Sequence, residues 1–528
     1  MKPTVVFATV ILLAGGAIWL AGQAGSAVNR PLASNFPAGP VLYLQAKNLQ
    51  SLLSDWDSSK EKQLWLSSDN YGVFSRSVLL QKLQRAQDEF AAAAGIPPDM
   101  ALLSNVAGAD SALAIYDIGK LEFLYITRLP AARVTASPLW KARGSYEPRH
   151  AAGFDYYVKL DRPSKRVAAF ATAQDYLLLA TREDVLAGAL SLIASQNVAS
   201  MAGEPWYAQA IQSAKAQGEL RLVLNMPLLM QSPYMRSYWI QRNASELKQY
   251  SSAVSDASRS PGLLTENRIL LRANEDAASW NEAAVAQVTR LVPEDAGLYR
   301  AWASPSTDEA FALIRDRMIE HQVTGTSGRQ APSGGSMDVI VGAEADLETR
   351  IDEPALDSGR RGIAEEARKL LDTSKLDAML YTGATRLAPD GVFVGIDSAV
   401  VLLRANSWPP GAGSQFDSLG SLSIGSTGGV LVIANQPDFL RKILAQVNRP
   451  ALSPARYAAL YRHSREFPNF ERMTRLIDNP MKQEGPMFFS QNVASFGRSI
   501  LGRLDEASIT IHDTGAVVSQ SLTYKLKP

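Results

Sequence analysis

Two stretches of this chain, "YLLLATREDVLAGAL" (Tyr176 to Leu190) and "VLVIANQPDFLRKIL" (Val430 to Leu444), align without a gap at an offset of 254 residues. Leu177, Ala180, Asp184, Leu186 and Leu190 match Leu431, Ala434, Asp438, Leu440 and Leu444. Each copy opens with a short apolar run, the pattern of a buried strand. Each then offers a cap with an acid three positions on: Thr181 with Asp184, Asn435 with Asp438. A helix follows in each, with one apolar stripe. In the first copy the stripe is Val185, Leu186, Ala189, Leu190 and Ile193; in the second it is Phe439, Leu440, Ile443, Leu444 and Val447.

The correspondence extends outward. Pro37, Leu42 and Tyr43 match Pro293, Leu298 and Tyr299 at an offset of 256. A second helix with a proline and a tyrosine is expected at "PWYAQAIQSA" and at "SPARYAALYRHS". A short strand leading into a helix is expected at "ELRLVLNMPLLM" and at "GPMFFSQNVASF". Hairpins are expected at "SALAIYDIGKLEFLYITRL" and "GVFVGIDSAVVLLRA", and closing hairpins at "ENRILLRANEDAASWNEAAVAQV" and "EASITIHDTGAVVSQSLTYKL". The fold class that follows is α+β: two tandem homologous domains of mixed, largely antiparallel sheet with packing helices, after an N-terminal hydrophobic helix. Domain boundaries fall at 36–290 and 291–528. The Gly/Ser/Pro-rich stretch 323–336 inserts into the second domain as a disordered segment. A length of 528 residues fits more than one core.

The first 30 residues stand apart. Lys2 precedes an uncharged run from Val5 to Gly22, an export signal. Two readings fit it. Small residues at Gly22 and Ala24, or Gly25 and Ala27, suit cleavage; a run about 27 Å long as a helix suits a retained membrane anchor. Either way the remainder is expected outside the cytoplasmic membrane, periplasmic or extracellular if cleaved. A Pro-x-x-x-x-Leu-Tyr strand after such a segment, followed by a "YLLLATREDVLAGAL"-type strand–helix unit, resembles an uncharacterised bacterial family of N-terminally anchored or exported envelope proteins. The resemblance covers most of the chain. It implies a compartment, names no activity and supplies no catalytic residue.

Chemistry is sparse in the sequence. With no cysteine, disulfides, thiol catalysis and thiolate metal sites are excluded. Net charge is +1, so no overall field draws the chain to nucleic acid. His150, His321, His463 and His512 lack metal-motif spacing, and no metal or cofactor is expected. S-x-x-K occurs at Ser59–Lys62 and Ser245–Lys248 without companion motifs. "GSLSIGSTGG" has the outline of a phosphate loop, but Ser426 stands where its lysine belongs and a strand follows; a hairpin turn is expected there.

One charge cluster remains. Residues 128–166 hold Arg128, Arg133, Lys141, Arg143, Arg149, Lys159, Arg162, Lys165 and Arg166 against three acids, with Trp140, Tyr146, Phe154, Tyr156 and Tyr157 between them. Residues 338–366 are the acidic inverse. The basic segment is a candidate surface for an anionic polymer, lipid headgroups or a partner protein, set against ordinary solvated strand edges. Tyr43 and Tyr299, repeated on equivalent strands, are expected in packing. The functional expectation is a non-catalytic envelope protein, a binding or assembly module touching the membrane through its N-terminal helix. Its alternative is an exported hydrolase whose site assembles only in three dimensions.

Overall fold

The structure is a computed structural model. It describes residues 31–214, 217–232, 247–275, 280–315, 375–387, 394–408, 422–478, 494–499 and 501–527, with a few single residues between them. The N-terminal segment 1–30, the insertion 323–336 and nearly all of the acidic stretch 338–366 lie outside the described residues, as does most of "GPMFFSQ". No helix among the described residues is long and apolar enough to cross a membrane.

The strands are, in chain order, β1 Leu42–Lys47, β2 Asp110–Asp117, β3 Glu122–Arg128, β4 Glu147–Ala151, β5 Phe154–Asp161 and β6 Arg166–Ala173. Next come β7 Tyr176–Ala180, β8 Leu220–Asn225, β9 Tyr250–Ser260, β10 Leu263–Arg272, β11 Leu298–Ala303 and β12 Ala378–Leu387. The remainder are β13 Val394–Leu403, β14 Ser423–Thr427, β15 Val430–Ala434, β16 Tyr457–Arg462, β17 Leu504–Asp513 and β18 Val517–Leu526. The chain divides into two compact units. One is Met1–Ser279 with Thr474–Ala507 and Asp513–Pro528; the other is Trp280–Met473 with Ser508–His512.

In the first unit these strands pair antiparallel throughout, in the order β4–β5–β6–β7–β3–β2–β1–β8–β9–β10–β18. One of its interior strands, β7, is buried along its whole length. The physical reason is a cover on both faces. Leu178 and Ala180 face one core with Tyr43, Ala114, Leu124, Ile126 and the stripe of the helix α1, Glu183–Ile193. Leu177 and Leu179 face the other with Phe170, Leu102, Val106, Leu139 and the end of the helix Val78–Ala94. A strand with two dry faces has no reason to alternate, hence the unbroken "YLLLA".

In the second unit the strands run β14–β15–β13–β12–β11–β16, again all antiparallel. This is the order of β6–β7–β3–β2–β1–β8 in the first. β15 is fully buried, with Leu431 and Ile433 in one core and Val430, Val432 and Ala434 in another. Against it packs the helix α2, Pro437–Leu444, through Phe439 and Ile443, with Leu440, Leu444 and Val447 at the margin. Tyr43 is fully buried and Tyr299 packs at the edge of its core.

Several local expectations are corrected. "GVFVGIDSAVVLLRA" is one long strand, β13; its hairpin partner is β12, and Asp397 and Ser398 sit within the ladder opposite Ala384 and Gly383. "SPARYAALYRHS" is not a helix but carries β16, whose backbone groups are taken up by β11; tertiary pairing overrides the helical preference of its alanines. In "ENRILLRANEDAASWNEAAVAQV" only β10 is a strand. The hairpin is β9–β10, turning at Gly262 with φ +71, and a helix Glu282–Thr289 capped by Asn281 follows later. β18, expected in the domain 291–528, makes its ladder with β10.

The "GSLSIGSTGG" turn is a two-residue hairpin between Thr427 and Val430. Its counterpart lies between Ala173 and Tyr176. Both turns begin with a positive φ, at Gly428 (+56) and Gln174 (+56). Gln174 therefore bears a left-handed strain of ~1 kcal/mol that glycine avoids. Thermal unfolding is expected to show Gln174→Gly neutral or stabilising by up to ~1 kcal/mol. Gly429→Ala should be strongly destabilising, because a Cβ there would lie 2.3 Å from the Arg404 carbonyl oxygen.

Candidate functional site

Two places invite a ligand by sequence: the polar turn after the repeated strand, and the basic segment 128–166. The turn is a structural lock. Thr181 and Asn435 do not cap the helices. The capping positions are Arg182 and Gln436, each with φ near −137° and ψ of 130° and neither making a side-chain cap bond. Instead Thr181 Oγ1 accepts the Phe123 amide at 2.8 Å, and Thr181 N donates to the Phe123 carbonyl. Asn435 does the same in the second unit: Oδ1 accepts the Ser398 amide at 2.9 Å, and its N donates to the Ser398 carbonyl. A threonine and an asparagine thus extend equivalent ladders by one step. Arg182 pairs with Asp184 and with Glu122, and the Arg182 guanidinium holds the Asp184 carboxyl below the usual carboxylate range.

The basic segment is largely spent on its own fold. Arg128 lies 3.5 Å from Asp175 and over the Tyr176 ring. Arg133 donates to Gln50 at 2.7 Å and to the Ser104 carbonyl at 2.9 Å. Arg143 bonds the Trp140 carbonyl and covers its ring. Arg149 pairs with Glu183 at 2.8 Å and Glu147 at 3.1 Å. Arg166 pairs with Glu89 at 2.9 Å. Lys159 approaches the left-handed Gly95 that ends the helix Val78–Ala94, and so meets the negative end of the helix dipole. Lys141, Arg162 and Lys165 are exposed, and Lys165 sits in the β5–β6 turn with φ +59. The interleaved aromatics point into packing. Tyr146 and Tyr156 are buried, and Tyr157 stacks on Phe170 at 5.2 Å. The linear count missed Asp175, Glu183 and Glu89 because they come from other elements.

What sequence reasoning did not find is a set of buried ion pairs on the β8–β9–β10–β18 side of the first unit. Arg221 and Asp256, opposite each other across β8 and β9, make two bonds of 2.8 Å. Arg268 clasps Glu266 at 2.6 and 2.8 Å, and Ser255 adds its hydroxyl to Glu266. Arg272 clasps Asp513 at 2.6 and 2.8 Å. The available signal was an arginine inside the apolar run "LRLVLN", which must bring a partner to be buried. Such forks are geometrically specific.

Other candidates resolve into structure. Ser59 Oγ caps the helix Lys60–Leu66 by accepting the Lys62 amide, so this S-x-x-K is a helix start; Ser245 lies outside the described residues. His150 faces Asp155 and His512 faces Glu282, each at 2.9 Å. His463 is buried and stacked on Phe467; His321 lies outside the described residues. Among the described residues no three His, Asp or Glu side chains converge on a point that could hold a metal ion.

No family model matches the chain, and no curated protein matches it. Among solved structures, crystal form III of TP0453 overlays with a TM-score of 0.26 at 10% identity, covering 48% of this chain and 84% of that one. Crystal form I of TP0453 gives 0.26 and 10%, with 48% and 82% covered. Domains 2–3 of RctB give 0.08 and 9%, with 52% and 91% covered. At such TM-scores these likenesses carry no argument about fold or activity.

Two outcomes follow from the geometry. In urea titrations, changing Lys141, Arg162 and Lys165 together to Gln should leave stability within ~0.5 kcal/mol, whereas Asp256→Ala should cost ~3–5 kcal/mol by stranding Arg221. Alkali should also destabilise the fold. Burial pushes Tyr146 and Tyr207 up to about 12. A phenol raised in the folded state contributes stability that is complete below its unfolded value near 10 and is lost as pH rises toward 12. Tyr146→Phe, which also gives up a bond to the Ala94 carbonyl, should be less stable at pH 8 yet decline less steeply above pH 10.

Proposed function

We propose that this chain is a non-catalytic, exported envelope protein, tethered by its N-terminal segment and built from two copies of one α+β module, and that it serves as a binding or assembly component. The observation that carries the reading is the recurrence of strand order and register. β6–β7–β3–β2–β1–β8 and β14–β15–β13–β12–β11–β16 have the same neighbours. Leu124 opposite Ala180 corresponds to Ala399 opposite Ala434. Two sets of strands that keep the same ladders while their turn residues differ fit a shared scaffold better than a shared site. The charged groups brought inside the first unit support the same reading, since they are used up in pairing one another.

The compartment rests on Lys2 and the apolar run to Gly22, and on the resemblance to anchored envelope proteins. An envelope protein is the favoured partner over an anionic polymer, because most of the basic segment is already engaged. The test is fractionation with in-cell crosslinking, comparing the full chain with one lacking residues 2–30. The full chain should be found in the membrane fraction, facing outward, and should crosslink to envelope proteins. The shortened chain should remain in the cytoplasm. A full chain that stays soluble and cytoplasmic would overturn the reading.

A further inference from the structure

The pairing of β10 with β18 has a symmetry that local packing alone does not require. β9 begins at Tyr250 and β17 at Leu504; β10 spans Leu263–Arg272 and β18 spans Val517–Leu526. All three comparisons give an offset of 254, the offset that also separates β7 from β15. Under that offset the β10–β18 register maps onto itself. Leu263 opposite Lys525 becomes Leu271 opposite Val517, and Asn267 lies opposite its own counterpart, Ser521. The bonds that close the ladder at its ends are also mates: Leu526 N to the Gly262 carbonyl at 2.8 Å, and Arg272 N to the Ala516 carbonyl at 2.9 Å. At the centre, Ser521 Oγ donates to Asn267 Oδ1 at 3.0 Å. Two equivalent strands therefore meet about a local twofold axis through Asn267 and Ser521.

We propose that β10 is a self-complementary edge that can receive the same strand of a second copy of this chain once β18, which fills that place within one molecule, is displaced. This rests on the duplicated-module reading above. Isologous antiparallel pairing is how identical edges join about a twofold axis. The side chains tell which partner is now preferred. Arg272 is clasped by Asp513, whose counterpart at the 254 offset is Arg259. Were β10 to pair with β10 of a second copy, each Arg272 would face the partner copy's Arg259 position, and the two cations would repel. The Arg259 side chain is largely shielded, bonded through Nε to Glu219 at 2.9 Å, with no hydrogen-bond partner for its two terminal nitrogens. Arg259 and Asp513 thus select the intramolecular strand over a second chain.

The chain has no cysteine, so single cysteines report register cleanly. In the full chain, Asn267→Cys with Ser521→Cys should oxidise to an intramolecular disulfide. In a chain ending at Thr514, Asn267→Cys should give a covalent dimer. Thr265→Cys should not, because its copies would lie about 13 Å apart along the strands. Arg259→Gln should tighten that dimer at least tenfold, read by light scattering. Should the shortened chain not fold, the full chain carrying Asn267→Cys alone, held in mild denaturant to release β18, should yield the same dimer. If the double-cysteine chain does not close, the register and with it the repeat reading fail. If it closes but Asn267→Cys yields no dimer in either setting, or crosslinks no better than Thr265→Cys, self-recognition by β10 is overturned while the repeat stands.

Discussion

A strand that is dry on both faces can satisfy its backbone only sideways, and that constraint organises this molecule. β7 and β15 present no face to water, so each N–H and C=O must be met by a neighbouring strand. Each is flanked by two: β7 by β6 and β3, β15 by β14 and β13. Helices must then close both faces, which α1 and the helix Val78–Ala94 do in the first unit. From a sandwiched strand the sheet grows outward through antiparallel pairs, and polar chemistry is pushed toward the sheet's edges or into compensated pairs.

Charge obeys the same economy. Away from β7, strands β8, β9 and β10 carry arginines and acids at positions that face packing rather than water. Arg221, Arg268 and Arg272 each have a forked carboxylate partner, so the cost of desolvation is met locally, while Arg259 is bonded through Nε alone. Such pairs add little net stability over apolar packing, but the cross-strand Arg221–Asp256 pair penalises a shifted β8–β9 register severely, because a slip of one residue separates the partners. Their concentration along β8–β9–β10–β18 suits a region where pairing must be chosen among similar strands.

Much of this was legible in the sequence, and the failures have physical causes. The stripe Val185, Leu186, Ala189, Leu190 and Ile193 was readable because helix burial follows from local spacing. The strand–turn–helix units, the hairpin at Gly428–Gly429 and the β2–β3 hairpin were readable for the same reason. β16 was read as a helix because "YAALYR" has alanines and no breaker, and only the distant β11 makes it a strand. "GVFVGIDSAVVLLRA" is a single strand rather than a hairpin because its partner, β12, lies outside that stretch. Thr181 looked like a cap because threonine before an acid usually is one, whereas its partner amide, Phe123, lies on another strand. The basic segment looked unopposed because its acids, Asp175, Glu183 and Glu89, lie outside it in sequence. Local pattern was readable; pairing over long sequence separation was not.

The central proposal is that β7 and β15 are equivalent, doubly covered strands in two copies of one module. Amide hydrogen exchange followed by mass spectrometry measures this directly. The amides of Leu177–Ala180 and of Leu431–Ala434 should be among the slowest in the chain, exchanging only through cooperative opening, while those of the exposed edge strand β4 exchange early. Exchange of either segment at the rate of β4 would contradict the account.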